Sequence, residues 1–587
     1  KPKKIASVSD WIPIYRKLKK RKAKPQKKPS RLNEFLASRS FFFLRWPVLI
    51  MTFTWIGFLA LVYLILRLYV AFVEHSVFWR GEKKRLRNTM RSSKTYAEWV
   101  ENAQKLDACL GLDKWKQIPS FYYYDYRTIR KTIEQLRKYR NPQDVHKLSI
   151  VLQNCLKSNF AGTENPLLYS QTYYGTKAII HEYNAEVITS IDYFTDSSEV
   201  SADEKRWLFK IYSKNFGRTA LCLSGGACFA FMHFGIVKAL LDADLLPKIV
   251  SGTSGGGLVA ALTCCRTDEE LRQLLIPELA LKITSCGEPF RVWFLRWWKT
   301  GARFDAVDWA RKCSWFTMGA TTFQEAYERT GRILNISTVP SDPHSPVILC
   351  NDTTSPDCVI WSSLLASSAV PGILEPTLNP VANLDNLNPE ADIVPFSFGT
   401  KWRDGSLRTD IPIESLNTYF NAKYSIVSQV NPHISLFFYA PRGSVGRPVS
   451  RGIRIKNYGN PGKETGEGDP TGDLISSLRG GFVSVALENL VKLDITKWLK
   501  FIKSLDLLPH LMKQDWSNIW LQNFTGTVTL WPKVNLGDFP YILSDPSPER
   551  LQLMIERGER SAWPKLLFIK HRLGIERAIE RGREATR

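Results

Sequence analysis

The chain has 587 residues and a mass of 67.2 kDa, more than one ordinary core accommodates, so two or more folded units are expected. Its 80 Lys and Arg against 56 Asp and Glu give a net charge of +24, concentrated in residues 1–100 and, more weakly, 555–587, while residues 101–554 are close to neutral. The near-neutral body argues against a nucleic-acid partner, and 44% hydrophobic residues exclude a wholly disordered chain.

Residues 1–46 are basic, proline-containing sequence and read as a disordered tail. Residues 47–66 are uncharged and, as a helix, span about 30 Å, one hydrocarbon core. The apolar character continues to residue 73, giving a membrane segment over 47–73, and Phe41, Phe42, Phe43 and Trp46 crowd its approach as at an interface. Both flanks are basic, and the positive-inside rule places both in the cytosol. One span cannot satisfy that, whereas a hairpin bent near Gly57 does. The segment is therefore a single pass or a hairpin, with a cytosol-facing body beyond it.

Residues 76–215 read as mainly helical, with apolar residues at helical spacing over 95–110 and 126–140. The texture then changes. A short apolar strand over 219–223 meets the turn Ser224-Gly225-Gly226, a helix over 227–246, a strand over 248–250, a glycine-rich turn and a helix over 258–264. This order predicts an α/β fold with a mainly parallel sheet flanked by helices. Further strands are expected over 346–349, 358–361 and 424–430. Residues 436–473, rich in Gly, Pro and charge, read as a flexible insertion, and 474–587 as a helical C-terminal region. The ten cysteines include no C-x-x-C pair, so they read as reduced, buried thiols, and no metal or cofactor is expected.

The chemistry centres on Gly252-Thr253-Ser254-Gly255-Gly256, a G-x-S-x-G between a strand and a helix. A strand turning sharply into a helix lifts the serine hydroxyl above the sheet, and the glycines two positions either side avoid clashes in that turn. Ser254 is thus the candidate nucleophile. Backbone N–H groups of Gly225, Gly226 and Ala227, at the start of a helix, and that of Gly255 are candidate oxyanion donors. For a base, the residues alone leave histidines open: His433 best, with His510 and His571 as further candidates downstream, and His233 facing neighbouring helix or sheet. Asp404, by itself, reads as a turn aspartate. His510 and Asp515 form an H-x-x-x-x-D, the arrangement of lipid acyltransferases. Two aromatic stretches suit either core or interface: 290–298 (FRVWFLRWW), and Trp516, Trp520 and Phe524 at helical spacing.

SGGA (224–227), HFGIVKALLDADLLPKIVSGTSGG (233–256), ASSAVPGIL (366–374) and Trp402-Arg403-Asp404-Gly405-Ser406 together resemble the patatin-like lipid hydrolases, and within them the fungal and plant triacylglycerol lipases of lipid droplets. The helical lead over 90–215 and SQVNPH (428–433) resemble the same subgroup. The resemblance implies a patatin-like catalytic domain over 216–435. It also implies a Ser–Asp dyad in which Asp404, followed by Gly405, takes the proton of Ser254. A single carboxylate in that role needs a near-neutral pKa, which burial supplies. The substrate implied is a lipid acyl ester, probed at a membrane or lipid-droplet surface, with phospholipase, lysophospholipid acyltransferase and a catalytically inactive membrane protein as alternatives. The endoplasmic reticulum or the lipid droplet is the implied location. Two departures stand out. The family's G-G-G-x-R/K-G loop is Gly225-Gly226-Ala227-Cys228-Phe229-Ala230 here, without the third glycine or the basic residue, and its D-G-A/G motif is D-G-S.

Overall fold

A computed structural model describes residues 39–587 apart from 285–287, 301–302, 341–345, 371–373, 375–376, 379–380, 384–392, 396–400, 433, 435–442, 449–481, 506, 508–521 and 523. The first described element is the helix Arg39–Val73. Its stretch Phe43–Tyr69 is long and apolar enough to cross a membrane, and most of it is exposed. The helix starts ahead of residue 47 and takes in the aromatic run before it, with Arg39 and Arg45. It also runs through Gly57 without interruption, so the bend that a hairpin there requires is absent. A single helical glycine weakens a helix by about 1 kcal/mol and does not by itself turn it. Part of its length rests on the helix Phe482–Ser504, where Leu49 packs with Ile502 and Leu507, and Trp55 Nε1 donates to Asp494 Oδ2 at 3.1 Å.

The helices Tyr96–Cys109, Tyr126–Tyr139, Val145–Cys155, Ala178–Asp196 and Ala202–Phe216 follow. Side-chain caps set several starts: Thr95 accepts from Glu98 N, Asp125 from Arg127 N and Thr128 N, and Ser201 from Glu204 N. Ile129, Ile133 and Leu136 bury one stripe of the second of these helices. Ala178–Asp196 and Ala202–Phe216 pack on the last helix of the chain, Leu566–Ala585, and the helical region shares one hydrophobic core with the sheet that follows. Arg572, buried on that last helix, donates to Glu164 at 2.5 Å and to the carbonyls of Phe216 (2.9 Å) and Gly217 (2.8 Å). Glu576, one turn on, accepts from Thr219 N at 3.0 Å. The C-terminal helix thus clamps the helical region to the start of the sheet.

The strands are β1 (Arg218–Leu223), β2 (Ile249–Gly252), β3 (Ile333–Pro340), β4 (Ile348–Cys350), β5 (Thr377–Leu378), β6 (Val381–Asn383), β7 (Ile393–Pro395), β8 (Lys401–Asp404), β9 (Ala422–Ser428) and β10 (Val528–Leu530). Eight of them form a sheet of order β10-β9-β1-β2-β3-β8-β5, with β4 on β3, while β6 and β7 form a separate ribbon. From β10 to β3 the pairs are parallel; β4, β8 and β5 pair antiparallel. β1 and β2 are apolar and buried almost throughout, as central parallel strands covered on both faces should be. β3 has no counterpart in the sequence reading. Its Asn335, Ser337 and Thr338 break the apolar run, yet all eight residues are buried, with Asn335 donating to Val250 O and accepting from Asn351. Conversely, of the strand expected over 358–361, Val359 makes an isolated bridge to Thr322 and Ile360 and Trp361 begin the helix Ile360–Ser367; so short an apolar run carries no period that separates strand from buried helix. Within the helical C-terminal region, the end of the chain divides into Pro548–Ala562 and Leu566–Ala585 around Pro564.

The helix Met232–Asp242, which follows β1 and its turn, lies against Pro548–Ala562 so closely that a Cβ on Gly235 would sit 1.9 Å from Ile555 O, and one on Gly558 2.2 Å from Met232 O. Backbone, not a flexible side chain, fills that space. Gly235→Ala is therefore expected to destabilise the fold by about 1–3 kcal/mol, read as a lowered urea midpoint.

Candidate active site

β2 ends at Gly252, and the helix Gly255–Cys265 begins three residues later. Between them Ser254 adopts φ +53°, ψ −126°, a conformation costly for any residue with a Cβ. The turn leaves no room for side chains around it: a Cβ on Gly252 would lie 2.4 Å from Gly256 O, and one on Gly256 2.4 Å from the carbonyl oxygens of Leu223 and Ser224. Hydrogen bonds hold the strained residue. Ser254 N donates to Ser367 Oγ at 2.9 Å, Ser367 Oγ donates to Ser337 O at 2.8 Å, and Thr253 Oγ1 donates to Asp410 O at 2.8 Å.

β3 brings the aspartate to the serine. Ile336 pairs with both Gly252 and Cys350, and Thr338 with both Ile348 and Asp404. β4 therefore occupies one edge of β3, while β2 and β8 share the other, with Asp404 two residues beyond the end of β2 and beside the Ser254 turn. Asp404 is buried. Its Oδ1 accepts from Ser406 N at 2.7 Å, and Gly405 is pressed against Ser337, where a Cβ would meet Ser337 O at 2.4 Å. Burial pushes the Asp404 carboxyl up to about 6, against the lowering effects of Ser406 and of the nearby Ser254 hydroxyl. Oδ2 has no hydrogen bond of good geometry, so the approach of Ser254 is loose. Such contacts commonly tighten only when substrate aligns the pair.

The glycine turn passes beside the serine: a Cβ on Gly225 would lie 3.6 Å from Ser254 Cβ. Its N–H groups are not equivalent. Gly225 N donates to Asp410 Oδ1 at 2.8 Å, so this expected oxyanion donor is already engaged. Among the described residues, the N–H groups of Gly226, Ala227 and Gly255 meet no acceptor. Behind the turn, buried His233 bonds Ser428 Oγ at 2.6 Å through Nδ1 and Ser224 O at 3.0 Å through Nε2. The carbonyl requires Nε2 to carry the proton, and burial pulls the ring down to about 4, so His233 is a neutral strut.

Asp410 escaped the sequence reading. Its side chain grips Gly225 and accepts from Asn431 Nδ2 at 2.6 Å; its carbonyl takes the Thr253 hydroxyl; its N–H donates to Gln522 Oε1 at 2.9 Å, and Gln522 Nε2 donates to Ser406 O at 2.7 Å. One residue thus ties together the oxyanion turn, the serine turn, the Asp404 turn and the end of β9. Burial, with the Asp404 charge as a lesser cause, pushes its carboxyl up to about 7. Only its position six residues after Asp404 could have drawn notice, and the sequence offers no reason to prefer it to other aspartates.

Residues 221–417 match the family described as patatin-like phospholipase, and residues 76–214 match a domain of unknown function, DUF3336. The chain is 56% identical over 597 residues to a patatin-like phospholipase domain-containing protein of Debaryomyces hansenii, covering all of this chain and 74% of that protein. A Meyerozyma guilliermondii protein of the same description is 57% identical, with all of this chain and 80% of that protein covered. One from Neosartorya fischeri is 50% identical, with 98% and 79% covered. The chain belongs to the patatin-like phospholipase family. Membership supports a lipid ester hydrolase. Within this patatin-like fold the missing third glycine of the turn has a visible consequence: Ala227 stands at φ +51°, a left-handed conformation that costs a non-glycine residue roughly 1 kcal/mol.

The remaining candidates lie elsewhere. His571 bonds Tyr169 Oη at 2.8 Å and His181 at 3.1 Å, in the contact between the helical region and the last helix, and burial pulls it down to about 3. His433, His510, Asp515, Trp516 and Trp520 lie outside the described residues, and Phe524 is not helical. Among the described residues, no cluster of His, Cys, Asp and Glu could hold a metal ion.

A base must be ionised to accept a proton, so kcat/KM for an ester is expected to fall as pH drops through about 6. Asp410→Asn, which matches the charge of the protonated acid, should keep that limb in place. Asp410→Ala, which removes the acceptor for Gly225 N–H and frees the turn, should lower kcat at least about tenfold with the same acid limb. Parallel pH–rate profiles of the three proteins on a soluble ester decide this.

Proposed function

We propose that this protein is a membrane-associated serine hydrolase that cleaves acyl esters of neutral lipid, triacylglycerol first among them, through Ser254 and Asp404. The observation that carries the reading is the strained Ser254 set beside a buried carboxylate with one oxygen unengaged. Ser254 Oγ attacks the ester carbonyl as its proton passes to Asp404. The N–H groups of Gly226, Ala227 and Gly255 stabilise the oxyanion. The tetrahedral species collapses, the alcohol leaves with the proton from Asp404, and an acyl-enzyme remains. Water attacks the acyl carbon, its proton passing to Asp404. Collapse releases the fatty acid, and the proton returns to Ser254.

Two features favour an uncharged substrate over a phospholipid. The oxyanion turn has Phe229 where the family pattern carries a cation, and two buried carboxylates lie beside the serine. Both disfavour a phosphate near the reacting carbonyl. The apolar helix Phe43–Tyr69 between basic flanks supports association with a membrane or lipid droplet.

A fluorophosphonate probe is expected to label the protein, and Ser254→Ala to abolish labelling. Asp404→Asn should lower kcat by about 10²–10⁴-fold with little change in thermal stability. Fatty-acid release from a panel of tri-, di- and monoacylglycerol, phospholipid and lysophospholipid, with Ser254→Ala as control, ranks the substrates. Label retained in Ser254→Ala would refute the nucleophile, and preferred release from phospholipid would refute the neutral-lipid assignment.

A further inference from the structure

The stretch FRVWFLRWWKT forms the helix Phe290–Thr300, and its packing is one-sided. Trp293 and Arg296 turn inward. Arg303 lies over the Trp293 ring at 4.7 Å, and Arg296 bonds Glu288 at 2.6 Å and Arg303 O at 2.9 Å. Five apolar side chains face out: Val292, Phe294, Leu295 (59% exposed), Trp297 and Trp298 (76% exposed). Arg291 and Lys299 stand at the two ends of that face, exposed and without an ion pair among the described residues, and the helix contains no acidic residue. A core helix does not expose two tryptophans and a leucine, and a solvated helix does not carry five large apolar side chains on its outer face.

The inward side of the helix connects to the candidate catalytic centre. Arg303, which braces Trp293, donates to Leu543 O at 3.0 Å; the preceding carbonyl, Ile542 O, accepts from Cys228 N of the oxyanion turn at 3.2 Å. Next along the chain, Phe304 packs with Leu365, two residues before the Ser367 that holds Ser254 N. Leu536 (78% exposed) and Tyr541 add apolar surface on the segment leading to Ile542.

We infer that the outer face of Phe290–Thr300 is a docking surface for an anionic phospholipid layer, and that it seats the mouth of the catalytic centre on the lipid. Tryptophan, phenylalanine and leucine between flanking cations, with no acid, match the two halves of such a layer: acyl chains below and anionic headgroups around them. The inference deepens the hydrolase reading and rests on it for its purpose, though not for its geometry.

The test uses the full chain, in detergent and after addition of vesicles of phosphatidylcholine with or without phosphatidylserine. Three variants are compared: Leu295→Glu/Trp298→Glu, Arg291→Glu/Lys299→Glu, and Tyr122→Glu, which changes an exposed aromatic of the N-terminal helical region. Two substrates are read, a long-chain acyl ester dissolved in the vesicles and a water-soluble short-chain ester, together with amide hydrogen exchange over 290–300. The Leu295/Trp298 variant is expected to lose about tenfold or more on the vesicle ester and nothing on the soluble one. The charge-reversed variant should lose the gain that phosphatidylserine confers, and Tyr122→Glu should behave as the parent. Vesicles should slow exchange over 290–300 in the parent and not in the Leu295/Trp298 variant. Unchanged activity on vesicles, equal losses on both substrates, or a sedimentation change showing that the face joins two copies would each overturn the inference. If the parent cleaves neither ester, the hydrolase reading fails, while the exchange experiment still decides the docking surface.

Discussion

One edge of β3 holds the candidate catalytic centre together. That edge pairs first with β2, in parallel, and then with β8, antiparallel, so the end of one strand and the end of the other meet beside the same turn. Ser254 and Asp404 are 150 positions apart in the sequence and come into reach only because β3 is long enough to serve both partners. Everything nearby depends on this meeting. The serine turn tolerates its strain because Ser367 and Asp410 hold it, and Gly405 must lack a side chain because Ser337, on β3, fills the space.

The second constraint is electrostatic. Two carboxylates are buried in one small region, and among the described residues neither has a cation as a hydrogen-bond partner. Burial raises both, and that would let the proposed base, Asp404, work near neutral pH without a histidine. The histidine that does lie close, His233, is made neutral by the same burial and spends both ring nitrogens on scaffolding. Asp410 answers a different need. A turn that must present free N–H groups requires something to hold it from behind, and the Gly225 N–H is given up to that carboxylate so that its neighbours can face outward.

Away from the centre, the chain divides its apolar surface between core and exterior in an unusual way. The N-terminal helices, the sheet and the last two helices share one core, clamped by buried Arg572 and Glu576. The helix Arg39–Val73 and the outer face of Phe290–Thr300 keep large apolar side chains exposed. The first hundred positions also concentrate basic residues, the charge that the proposed association with an anionic layer calls for.

The sequence by itself determined the local devices. G-x-S-x-G between a strand and a helix prescribes the strained serine, because only glycines leave room for that turn, and an uncharged run of twenty residues prescribes a long apolar helix. The caps at Thr95, Asp125 and Ser201 are likewise written within a few residues of the helices they start. Tertiary structure decided what depends on distant chain segments. β3 was illegible because its polar residues find partners on other strands, and the helix Ile360–Ser367 because a short apolar run has no readable period. Asp410 looks like any loop aspartate until the fold surrounds it with Gly225, Thr253 and Asn431. The assignment of Asp404 needed either a family resemblance or β3, for no spacing rule links residues 254 and 404. Hydrogen bonds and desolvation between segments far apart in sequence set both the position and the acidity of those carboxylates, and such terms exist only once the chain has folded.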